Sequence, residues 1–369
     1  MKTLENFKWK ELTTIDNFTE QYRLIISNPL LYKRIKIKLD AFIEFLISNE
    51  TDDSDSTICA YLREMGFLAD TDEGLETGKL DDILHWFKRG WYDSLLYYVW
   101  SKKVNFIDDE DYSGDIRRSL IKGYLSDNSL PDRVVESLNC TKIKLPTPEN
   151  VTLNGVSLKK ILLGRRTTRI FLDESMELEA FTNILWNGLS RVRSIRKLSY
   201  EDPLDYFASH GTEFDFYVVA YNINNLQDGI YIYDVEDNFL CKLKSGDFKE
   251  QMIHNLWNHQ APKTANFTIL LVTDFEQYQW RYRHGRALRS IFSEAGRIAQ
   301  RLILESERIG FSSLPTPATR DSSFDEMLNL RRNEQFVLYT ITVGKKPSPS
   351  LFKDNSSSDI LSLQWANEI

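Results

Sequence analysis

The sequence predicts an α+β fold built on a mainly antiparallel central sheet flanked by helices, and three observations in its second half predict it. Runs rich in β-branched and aromatic residues recur at EFDFYVVAYNI, GIYIYD, TANFTILLVT and QFVLYTITVG, which read as strands. Asp228-Gly229 stands between the first two as a hairpin turn. Helical patterns separate the later strands without a strict βα alternation, and no internal repeat is visible.

The elements follow in order. A chain of 369 residues suggests two domains at roughly 100 to 200 residues each. Residues 1 to about 110 read as helical. Leu39, Phe42, Ile43 and Leu46 recur at helix spacing, as do Ile58, Tyr61, Leu62 and Met65, with Gly66 as a stop. This region is either an ordinary helical bundle or a winged-helix-like unit that contacts a peptide or partner. RGWYDSLLYYVWSKKV, residues 89–104, has large aromatics that fill a core or a subunit interface more readily than a cofactor box. LPTPENVTLNG carries turn and linker chemistry, which places a boundary near residue 150.

Beyond it come a helix over about 156–164, a polar turn, a helix over about 177–191 and the basic polar stretch RVRSIRKLSYEDP. After the hairpin, TANFTILLVT is apolar enough to be a central strand. A long amphipathic helix follows, with Leu288, Phe292, Ala295, Ala299 and Leu302 on one stripe, and QFVLYTITVG closes the set. The expected layout is an N-terminal mostly helical domain (1–150), a second domain (151–348) and a tail (349–369), in which PSPSLFKDNSSS is mobile or crosses an interface.

Composition narrows the function. A net charge of −8 gives no general attraction for nucleic acid or anionic lipid, so neither is expected as a partner. No N-terminal signal segment and no run of roughly 20 apolar residues is present, which suggests a cytoplasmic protein. Cys59, Cys140 and Cys241 are far apart and odd in number, so they read as reduced, buried residues. His85, His210, His254, His259 and His284 form no ligand pair on a helix face, and no metal is expected.

The sharpest local feature is LLGRRTTRIF, in which Arg165, Arg166 and Arg169 crowd around Thr167 and Thr168. Like charges this close repel, so the cluster either faces an anion or is a solvated basic turn. Guanidinium forks beside a hydroxyl suit a phosphate monoester. Neither GxGxxG nor GxxxxGK[ST] is present, which leaves a mononucleotide as the fitting ligand. Lys345 and Lys346, in VGKKP, grip the same phosphate if the last strand ends beside the arginine turn.

RRTTR, then SHG before FDFYVV, YQWRYRHGRALR, EAGRIAQRLILESERIGFSSLP and VGKKP together resemble the nitroreductase superfamily. Within it the chain is most similar to the SagB-type dehydrogenases of thiazole/oxazole-modified peptide biosynthesis. The resemblance covers about residues 157–348, and more weakly the RGW...YY segment. It implies a nitroreductase-like fold that binds FMN, with Arg165, Arg166, Thr167, Arg169 and Lys345 on the phosphate. Ser209, His210 and Gly211 match a turn near the flavin ring. Phe311 to Pro315, including Ser313, Leu314 and Pro315, match a loop that offers backbone groups to the flavin edge. The resemblance further implies a homodimer with each FMN at the interface, a peptide substrate, a cyclodehydratase partner and oxidation of azoline rings to azoles.

Two departures stand out. The family's Lys-Tyr pair, assigned near proton removal, is Arg281-Tyr282 here, and an arginine stays charged and is a poor base near neutral pH. Tyr282 is the leading proton carrier, with a packed aromatic as the alternative, and His284 is a possible substitute. The usual Gly-x-Leu-Tyr-Pro turn is GTEFD, which leaves substrate choice open. His210 either touches flavin or substrate or is a hydrogen-bonded structural residue. Two other functions stay open: FMN-dependent oxidation or reduction of another peptide, carrier-bound or small-molecule substrate, and a catalytically degenerate scaffold.

Overall fold

The structure is a computed structural model that describes residues 14–18, 23–28, 33–50, 57–68, 86, 89–102, 111–127, 138–148, 157–201, 211, 213–331 and 334–347. The chain forms two compact units, Met1–Phe106 and Ile107–Ile369. The proposed tail over 349–369 lies outside the described residues.

The first unit is helical only in part. Three strands, β1 (Thr14–Phe18), β2 (Arg23–Asn28) and β3 (Lys33–Lys38), form an antiparallel sheet in sequence order. This sheet corrects the expectation of a mostly helical domain over residues 14–38. KRIKIK alternates with period two, burying Ile35 and Ile37 between exposed basic residues, and a six-residue alternation is easily lost beside longer helical patterns. Helices α1 (Leu39–Glu50), α2 (Thr57–Glu64) and α3 (Tyr92–Ser101) follow. On α1 the core residue is Phe45, while Ile43 is exposed. Gly66, at φ 77°, ends α2 as expected. Its N–H reaches the Arg63 carbonyl and the Phe67 N–H reaches Leu62, which brings the buried Phe67 and Leu62 together. Trp91 and Tyr98 are exposed, whereas Leu95 and Val99 of the same segment are buried.

The second unit contains α4 (Asp115–Asp127), β4 (Thr141–Lys144), α5 (Leu158–Gly164), α6 (Leu178–Gly188), α7 (Ser190–Glu201), β5 (Phe214–Ala220), β6 (Gly229–Asp234), β7 (Phe239–Ser245) and α8 (Lys249–Asn255). It continues through β8 (Phe267–Asp274), α9 (Phe275–Arg281), α10 (Ala287–Arg308), β9 (Phe311–Thr316), α11 (Asp321–Leu328) and β10 (Gln335–Lys345). The sheet order is β4-β7-β6-β5-β8-β10-β9, antiparallel at every step. The α+β class with a mainly antiparallel sheet is therefore the observed one.

TANFTILLVT supplies β8, flanked by β5 and β10, and every residue of β8 is buried. Both faces of the sheet are covered. Phe214, Phe216, Phe267 and Ile269 meet α6 and α10 on one side, while Tyr217, Val219, Leu270 and Val272 face Met252 and Phe324 on the other. This double burial makes the strands read as unbroken apolar runs. Phe181 of α6 meets Phe267 edge-on at 5.0 Å, the geometry in which aromatic pairs attract.

Four sequence expectations are corrected in this unit. Asp228-Gly229 is not the turn: Gly229 already lies in β6 opposite Ala220, and a Cβ there would sit 2.3 Å from the Lys244 carbonyl oxygen, so its smallness admits the neighbouring strand. The basic stretch after residue 190 is helix α7, with Val192 and Ile195 buried at helix spacing among the arginines. The buried stripe of α10 runs through Ala287, Ile291, Ala295, Ala299 and Leu302, leaving Phe292 exposed. Cys140 and Cys241 are disulfide-bonded with Cα atoms 5.6 Å apart, because β4 pairs with β7; only Cys59 is a buried free thiol. Pairing across 101 residues of sequence cannot be read from cysteine spacing.

No described helix is long and apolar enough to cross a membrane, and no group of metal-ligating side chains occurs among the described residues.

Candidate functional site

Two clusters hold the candidate residues. The first forms where the arginine turn crosses the edge of the sheet. Thr167 bridges Ser313 in parallel, and the Thr168 N–H donates to the Ser313 carbonyl at 3.0 Å. Five residues later the Leu172 N–H donates to the Lys345 carbonyl at 3.1 Å. Within the sheet Gly344 pairs with Ser312 and Lys345 with Phe311. RRTTR, FSSLP and VGKK are thereby brought together at one end of β9 and β10.

Phe311 to Pro315 is a strand rather than a loop, because β10 is long enough to pair with it as far as Thr316. Ser313 and Leu314 are buried and Pro315 is half-buried, on an outer strand where a proline's missing donor is tolerated.

The charges of this cluster are unevenly matched. Lys345 pairs with Glu174, and Lys346 with Glu307 at 3.0 Å. Arg166 folds back to donate to the Leu163 and Arg165 carbonyls at 2.9 and 2.8 Å. Arg165, half-buried, and Arg169, exposed, make no ion pair among the described residues. The Ser313 hydroxyl is buried and has no hydrogen-bond partner. Two unneutralised guanidiniums, a lysine shared with one carboxylate, Thr167 and an unsatisfied hydroxyl form a donor set fit for a phosphate dianion.

The second cluster lies at the other end of β8. Asp274 caps α9, accepting from the Glu276 and Gln277 N–H groups at 3.0 and 3.3 Å. Tyr278 is buried one turn on, and its ring lies 4.9 Å from that of Tyr282. Tyr282 is half-buried and meets His284 at 6.4 Å. Burial lowers the His284 pKa, with Arg286 adding to the effect, which favours a neutral imidazole. Arg281 ends α9 and its side chain lies outside the described part. Arg283 stacks on Tyr124 of α4 at 3.7 Å, so that arginine is engaged in packing.

Gly211 belongs to this second cluster. Its φ is 90°, and a Cβ there would lie 2.2 Å from Ile298 Cδ1, so the position requires glycine. Ser209 and His210 lie outside the described residues.

The two clusters are not adjacent within one chain. Val343, two residues before Lys345, pairs with Phe267, whereas Gln335 pairs with Asp274 at the far end of β8. That run of strand separates them by about 20 Å at roughly 3.3 Å per residue.

One residue of the second cluster was not singled out by the sequence. Glu213, at the head of β5, is 4% exposed, and neither carboxyl oxygen has a hydrogen-bond partner. Burial pushes its pKa up to about 7; its own backbone N–H and that of Gly211 oppose this without reaching bonding geometry, nearby Glu294 adds to it, and Arg196 opposes weakly. The acidic residue inside GTEFD was the available signal, since a carboxylate at the entry to an apolar strand is unusual.

The Nitroreductase family model matches residues 162–345. TfxC, a trifolitoxin operon protein from Rhizobium leguminosarum bv. trifolii, is 27% identical over 269 residues, covering 70% of this chain and 73% of the relative. A solved chain from Anabaena variabilis described as a nitroreductase is 17% identical with a TM-score of 0.44; the match covers 62% of this chain and only 47% of that one. The E. coli microcin synthetase McbBCD complex, with truncated pro-MccB17 bound, matches at 14% identity and a TM-score of 0.39, over 67% of this chain and 100% of the matched chain.

Proposed function

Residues 162–345 are a nitroreductase-family domain, and from that premise we propose that the chain is a SagB-type FMN-dependent dehydrogenase that oxidises azoline rings of a ribosomally made peptide to azoles. The observation that carries the reading is the first cluster: the backbone of the arginine turn, with Arg165, Thr167 and Arg169, is bridged to β9 and β10 beside Lys345 and the orphaned Ser313 hydroxyl. These residues would hold the FMN phosphate, with Arg166 joining if it unfolds from the carbonyls it now binds. The backbone of Ser313, Leu314 and Pro315 would lie along the cofactor. Bound FMN supplies a two-electron acceptor for hydride.

The second cluster supplies the proton chemistry. Tyr282 would receive the ring proton, Arg281 would orient an anionic or polarised substrate, and neutral His284 would stand as an acceptor beside it. Ser209, His210 and Gly211 would line the flavin ring.

The clusters lie about 20 Å apart within one chain, and a homodimer in which one copy holds the phosphate and the other lines the flavin ring would join them in one site. Exposed Leu158, Leu162 and Leu163 on α5, which buries no side chain, and exposed Phe292 on α10 support such an association. Similarity to a trifolitoxin operon protein supports a role beside other biosynthetic proteins, among them a cyclodehydratase that would make the azoline.

The test is incubation of the FMN-loaded protein with an azoline-bearing peptide under air, read by mass spectrometry. Loss of two hydrogens per ring is the expected result. An unchanged peptide, together with turnover of free small electrophiles by NAD(P)H, would transfer the fold to another substrate class.

A further inference from the structure

The charges and hydroxyls around the second cluster leave one group unused. Glu213 is buried with both carboxyl oxygens unpartnered, although Arg196 is near enough to feel its charge. Arg196 is instead committed to the neighbouring backbone, donating to the Phe214 carbonyl at 2.6 Å. The backbone that carries the side chain is fixed: the Asp274 N–H donates to the Glu213 carbonyl at 3.2 Å, and the Phe214 N–H to that of Gly211 at 3.3 Å. The groups that feel its charge come from three packed elements: Glu294 of α10, Tyr278 of α9 and Arg196 of α7. Glu294 carries the same charge and so disfavours the Glu213 carboxylate, and it is ion-paired to Arg297. Tyr278 interacts with the Ser290 hydroxyl, and its ring lies 4.9 Å from that of Tyr282 at a 35° tilt.

A buried carboxyl without a partner is costly to keep unless it has a task. We propose that Glu213 is the terminal proton acceptor of this enzyme, taking the substrate proton through Tyr278 and Tyr282 where the chain has no lysine base. The inference rests on the flavin-dependent oxidation proposed above. In that step a ring C–H bond would break and its proton pass to the Tyr282 oxygen as the Tyr282 proton moves on through Tyr278; the Tyr278 hydroxyl, which interacts with Ser290 and does not bond Glu213 here, would have to turn to the carboxylate for Glu213 to become a carboxylic acid. FMN, held by the first cluster, would accept the second ring hydrogen as hydride, which balances the two-electron oxidation of the ring. Glu213 does not touch the substrate; it acts through the tyrosines. A carboxyl that titrates near neutrality is matched to such a task.

The experiment compares wild type with Glu213→Gln, and with Glu213→Leu should the glutamine variant fold poorly, on three readouts: flavin content, the pH profile of azoline oxidation, and the infrared band of a protonated carboxylic acid followed with pH in the flavin-bound protein. The expected result is equal flavin content, a kcat lowered by about 100-fold or more with little change in KM, loss of the rise in kcat through neutral pH, and loss of a carboxylic-acid band that titrates there. Wild-type protein that binds FMN and turns over, with a variant equal to it in kcat and pH profile, overturns the role of Glu213 alone. Wild-type protein that takes up no flavin overturns the oxidation reading and this inference with it.

Discussion

Replacing Glu213 with glutamine is expected to reshape how the second unit responds to pH. Burial raises the Glu213 pKa from 4.5 to about 7, whereas in the unfolded chain the same carboxyl titrates near its ordinary value. Folding therefore retains a proton that the unfolded state releases between those limits. The contribution is fully present below about pH 4.5, falls by roughly 1.4 kcal/mol per pH unit, and is lost as pH rises through about 7. Integrated over that window the loss is about 3 kcal/mol. Glutamine keeps the volume and cannot ionise, so Glu213→Gln should remove this component and make the protein more stable than wild type at pH 8 by up to about 3 kcal/mol. Hydrogen exchange at the amides of β5 and β8, measured at pH 5 and pH 8, isolates this unit from the N-terminal one. The reasoning is refuted if the variant and wild type lose equal protection between the two pH values.

Two other outcomes follow from the fold. Gly211→Ala places a Cβ 2.2 Å from Ile298 Cδ1 and 3.1 Å from Val192 Cγ2 at a φ of 90°; it should lower stability by about 1–3 kcal/mol, read as a fall in thermal midpoint. Cys140→Ser should destabilise the second unit by roughly 4 kcal/mol under oxidising conditions and by little in reductant, since the bond closes a 101-residue separation. Thiol titration in denaturant without reductant should count Cys59 alone.

How far the sequence carried depends on the range of the interactions involved. The central strands were legible because burial on both faces leaves them almost wholly apolar, and β8 could be placed at the centre for that reason. β4, β7 and β9 were not, since FLCKLKS is apolar only in its first half and FSSLPT contains serines and a proline that usually mark turns. The α7 helix hid behind its arginines, two of which are buried, Arg193 donating to the Trp186 carbonyl of the preceding helix and Arg196 to the Phe214 carbonyl of β5. Local repulsion among Arg165, Arg166 and Arg169 was the sequence signal behind the proposed anion site. That Ser313 and Lys345 stand beside them is a property of sheet register, which sequence spacing does not carry. Glu213 was visible as an odd residue in GTEFD, but its isolation depends on α7, α9 and α10 closing around it.

The most direct test of the flavin-site account is the cofactor itself. Purified protein should be yellow, release FMN on heating, and lose most of that flavin in both Arg165→Ala and Arg169→Ala, because each removes a charge-assisted bond of roughly 1.5–3 kcal/mol. A colourless protein that also fails to take up added FMN, or variants that keep wild-type flavin content, would contradict the assignment of this cluster as the phosphate grip.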